Sequence, residues 1–161
     1  KEGDVITLDL GVNWHGGISD AAVTVPVGTI SKDVQYLIEL TKKSLNKGIE
    51  QIKPGKTVGD IGHAIEKTAR LGGLKIVDSL TGHGVGEKVH EDPIIYNFGE
   101  QNTGTELTPG MVIAIEPMIT MGESPIKQLA DDSFVTADGN LSAHFEHTVL
   151  VTEKGNEILT K

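Results

Sequence analysis

Five residues of this chain carry side chains whose types and placement point to one kind of chemistry. Asp9 lies in Val5–Leu10, where Ile6, Leu8 and Leu10 alternate with Val5, Thr7 and Asp9. Asp20 lies in Ser19–Val25, where Ala21, Val23 and Val25 alternate with Asp20, Ala22 and Thr24. Alternation of period two predicts a strand for each segment, and the turn-rich Gly11–Gly17 between them predicts a hairpin. With the turn centred on Trp14 and His15, residue 9 stands opposite residue 20. Their Cβ atoms are then roughly 5 Å apart on one face, where like charges destabilise the pair. Aspartate is also a poor strand former. Either residue alone reads as a solvent-facing strand end. The facing pair needs a shared proton or a compensating cation, and a divalent metal supplies the latter.

His83 stands among glycines in Thr81-Gly82-His83-Gly84-Val85-Gly86. Glycine lets the backbone fold tightly and brings an imidazole close to another group, although on its own the pattern reads as an ordinary loop. Glu116 is the one charge in Met111–Met118, just before Pro117, and Glu146 repeats the situation in Phe145–Val151. Glutamates within apolar strands are rare unless paired. Together Asp9, Asp20, His83, Glu116 and Glu146 offer one nitrogen and four carboxylates. Such donors suit Mn, Fe, Co or Zn better than a thiolate metal. The chain has no cysteine, which excludes thiolate sites and disulfides. Four carboxylates also balance two divalent ions, so the set can be buried without a large unpaired charge.

The elements that position these residues follow from caps and periodicity. Ser31 caps a helix with Asp33 in its first turn, and Val34, Ile38, Thr41, Leu45, Ile49 and Ile52 follow at helical spacing until Lys53-Pro54-Gly55. Thr57 with Asp60 reads as a capping box for a second helix, whose stripe is Ile61, Ile65 and Ala69 and whose end is Gly72-Gly73. Strand and loop follow, with strands expected over Leu74–Val77, Gly86–His90, Met111–Thr120, Phe134–Thr136, Leu141–Thr152 and Glu157–Leu159. A hairpin, two helices and then strands predict an α+β fold. No linker or repeat divides the chain, so residues 1–161 read as one domain.

Composition bounds the rest. At 37% hydrophobic and 23% charged, the chain reads as globular rather than disordered. No apolar run approaches the roughly 20 residues of a membrane helix. A net charge of −9 opposes a general nucleic-acid or anionic-membrane surface. Lys1-Glu2-Gly3-Asp4 leads directly into a strand, which reads as a chain that begins inside a fold.

In order, Leu8-Asp9-Leu10-Gly11, Ser19-Asp20, Gly82-His83-Gly84-Val85-Gly86, Ile115-Glu116-Pro117-Met118 and Ser142-Ala143-His144-Phe145-Glu146-His147-Thr148 resemble the motifs of the pita-bread metallopeptidases. The resemblance runs from end to end of the chain. The short spacing from His83 to Glu116 and the final run look like type I methionine aminopeptidase. That resemblance implies a pita-bread (creatinase/aminopeptidase-like) α+β fold, an antiparallel curved sheet with helices on its outer face, truncated at the N-terminus. It implies a catalytic domain holding two divalent ions (Co, Mn, Fe or Zn). Asp9 would chelate one, Asp20 and Glu146 would bridge both, and His83 and Glu116 would complete the second. Glu116 and His90 would be catalytic, with His90 and Val89 at the substrate. The implied activity is removal of N-terminal methionine from nascent polypeptides by metal-activated water. The implied setting is a cytoplasmic monomer that also meets the ribosome and has no direct nucleic-acid or membrane contact.

The chain also departs from that pattern. Val89 stands where bacterial relatives often carry an aromatic residue, Asp132 aligns near a pocket tryptophan, and His144 replaces a glutamine. A family segment with another substrate histidine would precede Lys1. The nearest alternatives are an Xaa-Pro aminopeptidase or prolidase-like peptidase, a non-catalytic binding module of this fold, and a piece that folds but is inactive alone. Trp14 reads as surface packing rather than as a replacement pocket wall.

Overall fold

The N-terminal hairpin forms, but its turn lies one residue later than expected. In the computed structural model, which describes residues 1–161, β1 (Val5–Trp14) and β2 (Gly17–Pro26) join through His15 and Gly16. Both turn residues have positive φ, 52° and 92°, which suits the twist of a two-residue hairpin turn. Most of Gly11–Gly17 is therefore strand rather than loop. Asp9 stands opposite Ala22, and Asp20 stands opposite Gly11. This corrects the expectation that the two aspartates face each other. The correction shifts the register by two residues, which leaves every side chain on its original face. Asp9 and Asp20 thus share a face as diagonal neighbours. The opposite face of β1, with Leu10 68% and Trp14 75% exposed, is open to solvent.

Both helices start where their caps predict. Ser31 accepts the Val34 N–H at the start of α1 (Lys32–Ile49). Thr57 and Asp60 form a reciprocal capping box at the start of α2 (Val58–Leu71). The first helix stops short of Lys53-Pro54-Gly55, with Glu50 as its C-cap. Ile52 lies beyond that end and is buried all the same, 1% exposed.

The remaining strands are β3 (Lys75–Ile76), β4 (Thr81–Gly84), β5 (Glu91–Tyr96), β6 (Val112–Ile115), β7 (Met118–Thr120), β8 (Ile126–Gln128), β9 (Phe134–Thr136), β10 (Ser142–His144), β11 (His147–Thr152) and β12 (Gly155–Ile158). The segment Gly86–His90, expected as strand, is a bend between β4 and β5. Strand β5 carries Pro93, which hides it from a pattern reading. It is tolerated because β5 is the edge of a sheet ordered β12-β11-β6-β4-β5. A second sheet has the order β10-β7-β3, and every pairing is antiparallel.

The two sheets are halves of one bent ribbon. Strand β6 runs on into β7, and β10 runs on into β11, each through a two-residue break at Glu116-Pro117 and Phe145-Glu146. Pro117 has no N–H to continue the ladder. Register is the same on both sides of the break, with His147 opposite Ile115 and His144 opposite Met118. Glu146 therefore stands opposite Glu116. The α+β architecture expected from the sequence is the one observed.

The helices cover one face of this ribbon. Leu37, Leu45, Ile61 and Ile65 pack with Ile113, Ile115, Ile119, Val149 and Val151 in one buried cluster. No helix is long and apolar enough to cross a membrane. Ile65 is fully buried, so Ile65→Ala is expected to cost about 2–5 kcal/mol through lost transfer energy and an unfilled cavity. Urea unfolding should show a lower midpoint at unchanged slope. A midpoint near wild type would mean that α2 is not packed as described.

Candidate metal centre

Three backbone devices bring the polar residues together. The first is the break in the ribbon, which turns Glu116 and Glu146 toward each other from adjacent strands. The second is the pair of glycines around His83. A Cβ at Gly82 would strike the Ala114 carbonyl, and one at Gly84 would strike the Asp92 carbonyl. Only glycine lets β4 lie this close to β6 and to the Glu91–Asp92 backbone, and that closeness carries His83 to the carboxylates.

The third device is hydroxyl bridging between the hairpin and the ribbon. Thr148 Oγ1 accepts the Asp20 N–H at 2.8 Å and donates to the Asp20 carbonyl at 2.8 Å. Thr24 Oγ1 accepts the His144 N–H at 2.8 Å and donates to the His144 carbonyl at 2.9 Å. Between them the Glu146 N–H donates to the Ala22 carbonyl at 2.9 Å. Strand β2 is thereby fixed against β10 and β11 with Asp20 turned toward Glu146.

The result is a buried donor cluster. One ligand atom each from Asp20, His83 and Glu146 lie within 4.8 Å of one another, and all three residues are buried. His83 Nε2 is 3.2 Å from Glu116 Oε1 and 4.0 Å from Asp20 Oδ2. The 2.8 Å contact from His83 Nδ1 to the Gly84 carbonyl makes Nδ1 the donor. That leaves Nε2 to face the carboxylates, the arrangement in which an imidazole binds a metal. His90 packs edge-on against His83, ring centroids 4.5 Å apart. Asp9 is more exposed and lies beside the cluster on the same hairpin face as Asp20.

Crowding of like charges shapes the electrostatics. Burial, with the charges of Glu116, Asp20 and Asp9, pushes the Glu146 carboxyl up to about 9. Burial raises Glu116, with Asp9 and Asp20 adding to it and the His83 hydrogen bond and charge opposing. Burial and then Asp20 raise Asp9, against His83. Burial lowers His83, but hydrogen bonds to Glu116 and Gly84 and the charges of Glu116 and Asp20 lift it above its ordinary value. Burial takes His144 down to about 4. Glu146 Oε1 is buried without a hydrogen-bond partner. An orphaned carboxylate oxygen, the His83 Nε2 aimed at the carboxylates and an excess of negative charge are what a divalent cation would satisfy together, so the donor set fits one.

A cavity of about 660 Å³ opens beside the cluster. Its lining includes the polar Asp9, Glu116, His90 and His144 and the apolar Leu80, Met118, Ile126 and Phe134. Val89, expected at the substrate, is exposed and lies outside this lining. Asp132 occupies the β8–β9 turn with φ 67°. Trp14 stands exposed next to the hairpin tip. The sequence reading missed the anchoring roles of Thr24 and Thr148 and the place of His144. The one available signal was that Thr24 shares a face with Asp20.

Residues 1–153 match the family described as Metallopeptidase family M24. Methionine aminopeptidase 1 of Bacillus subtilis is 46% identical over 162 residues, a match covering 100% of this chain and 65% of that protein. The crystal structure of a methionine aminopeptidase from Thermotoga maritima superposes with a TM-score of 0.98 at 44% identity, covering 100% of this chain and 65% of that one. A prolidase from Pyrococcus horikoshii is more distant, with a TM-score of 0.77 at 27% identity and coverage of 100% and 41%. The chain thus spans about 65% of the length of the bacterial relatives.

The raised carboxyls give the metal-free protein a defined pH dependence. Glu146 binds its proton more tightly folded than unfolded, so its contribution to stability falls as pH rises from the ordinary carboxylate range toward about 9, and the raised Glu116 and Asp9 carboxyls act in the same direction. His144, lowered to about 4, acts in the opposite sense but only below its ordinary value of 6.5. Between pH 7 and 9 Glu146 therefore sets the trend, and His83, lifted above its ordinary value, acts in the same sense. The Tm of metal-free protein is expected to fall across that interval. A saturating divalent ion should remove the decline and release protons on binding at pH 7. A Tm independent of pH in the metal-free protein would contradict this.

Proposed function

Because the chain belongs to metallopeptidase family M24, we propose that it carries the metal centre of an aminopeptidase that removes N-terminal methionine from newly made proteins. The observation that supports this reading most directly is the buried convergence of Asp20, His83 and Glu146, with Glu116 within 3.2 Å of His83. In this reading Asp9, Asp20, His83, Glu116 and Glu146 would hold two divalent ions. Two such ions, of Co, Mn, Fe or Zn, would lower the pKa of a shared water and polarise the substrate carbonyl.

The chain's own residues do the rest. The Glu116 carboxylate takes up a proton from the attacking water and passes it to the leaving amine as the amide C–N bond breaks. His90 lines the cavity beside His83 and contacts the substrate near the scissile amide. The apolar residues of that cavity, Leu80, Met118, Ile126 and Phe134, suit an unbranched apolar side chain. The free amino terminus binds at the carboxylate-rich end, which limits cleavage to the first residue. Substrates are the N-termini of nascent chains, met in the cytoplasm near the ribosome by a monomeric protein.

Release of methionine from the tripeptide Met-Ala-Ser by the metal-loaded protein tests the assignment. Glu116→Gln is expected to lower kcat/KM by ~100-fold or more, the usual loss when a proton-transferring group is removed. His83→Ala should abolish turnover and weaken binding of one ion. Full activity in either variant would overturn the assigned roles.

A further inference from the structure

His144 has no part in the chemistry above, yet it sits against it. Its Nε2 is buried without a hydrogen-bond partner. Its backbone is held on both sides by the Thr24 hydroxyl, so the side chain projects from a fixed point of the ribbon. Nε2 lies 3.7 Å from Glu116 Oε2. On the other carboxylate oxygen, Oε1, His83 Nε2 stands at 3.2 Å. Glu116 is therefore flanked by two imidazoles, one on each oxygen. A separation of 3.7 Å is beyond hydrogen-bond length, but a small rotation of either side chain closes it.

The two imidazoles differ in what they can do once a cation is held. His83 Nδ1 is committed as a donor to the Gly84 carbonyl. Its Nε2 must then present a lone pair to the ion, and a lone pair cannot donate to Glu116. Glu116 loses its His83 hydrogen bond at the moment when one of its oxygens has to be aimed. His144 is the remaining imidazole with an uncommitted nitrogen at that carboxyl. Ligating carboxylates are commonly oriented by such an outer partner.

We propose that His144 is a positioning residue, whose Nε2–H donates to Glu116 Oε2 and holds the carboxyl with Oε1 turned toward the ion. The inference rests on the two-ion reading above. It gives His144 a role that glutamine can share through its side-chain N–H and that leucine cannot.

Long-range ¹⁵N–¹H spectra of the Zn-loaded wild-type protein test the donation directly. His144 is expected to carry its proton on Nε2, while His83 Nε2 is bare. A bare His144 Nε2, as in a direct ligand or an acceptor, would overturn the proposal whether or not any variant folds. Calorimetric titration with Mn or Zn gives the second readout. H144L is expected to weaken binding of one ion by roughly 10- to 100-fold, and H144Q to retain wild-type affinity. The proposal fails if H144L binds both ions as tightly as wild type, or if H144Q is as weak as H144L while its near-UV circular dichroism stays native. Absence of divalent-ion binding by wild type would remove the two-ion reading itself, and the role of His144 with it, a result distinct from either variant outcome.

Discussion

Mutual repulsion among carboxylates in a shared, largely buried space is the constraint around which this chain is arranged. Asp20, Glu116 and Glu146 converge on the His83 imidazole, with Asp9 at the edge, and burial raises the pKa of Glu146 to about 9. A fold that only had to be stable would not place like charges opposite each other on paired strands. The devices that hold them there are costly individually. Glycines flank His83, a proline interrupts the ladder at Glu116, and a threonine hydroxyl spends both its donor and its acceptor on Asp20. Each makes sense if a cation of matching charge completes the cluster.

Those devices work because the rest of the molecule is rigid where they attach. The helices bury Leu37, Leu45, Ile61 and Ile65 against the same strands that carry the glutamates. Ile113, Ala114 and Ile115 of β6 and Thr148, Val149 and Val151 of β11 are buried, so the neighbouring breaks at Glu116-Pro117 and Phe145-Glu146 have little room to relax. Close packing of this kind transmits displacement rather than absorbing it. The Thr24 and Thr148 bridges then set how far the hairpin lies from that break, and with it the spacing of Asp20 from Glu146 and His83.

Much of this was legible in the sequence, and the parts that were not share a cause. Local signals were sound: Ser31 and Thr57 start helices as capping chemistry requires, and the Ile61, Ile65 and Ala69 stripe is buried. Asp9, Asp20, Glu116 and Glu146 stood out as candidates because charge in an apolar strand is conspicuous, and Asp20, Glu116 and Glu146 do come together at His83. Pairing register was not. Alternation cannot distinguish a hairpin turn at Trp14-His15 from one at His15-Gly16, since a two-residue shift preserves both faces. The positive φ adopted by His15 and Gly16 decides it. The facing pair expected for Asp9 and Asp20 exists instead between Glu116 and Glu146, whose partnership depends on strands 30 residues apart in sequence. The hydroxyls of Thr24 and Thr148 follow no period, and their partners emerge only when the hairpin docks.

The proposed chemistry depends on one compact donor set able to hold two divalent ions. Crystals of the protein grown with Mn and measured at the Mn absorption edge test it most directly. Two anomalous peaks are expected, one among Asp9, Asp20 and Glu146 and the other among Asp20, His83, Glu116 and Glu146. A single peak, or none within reach of these side chains at saturating Mn, would contradict it.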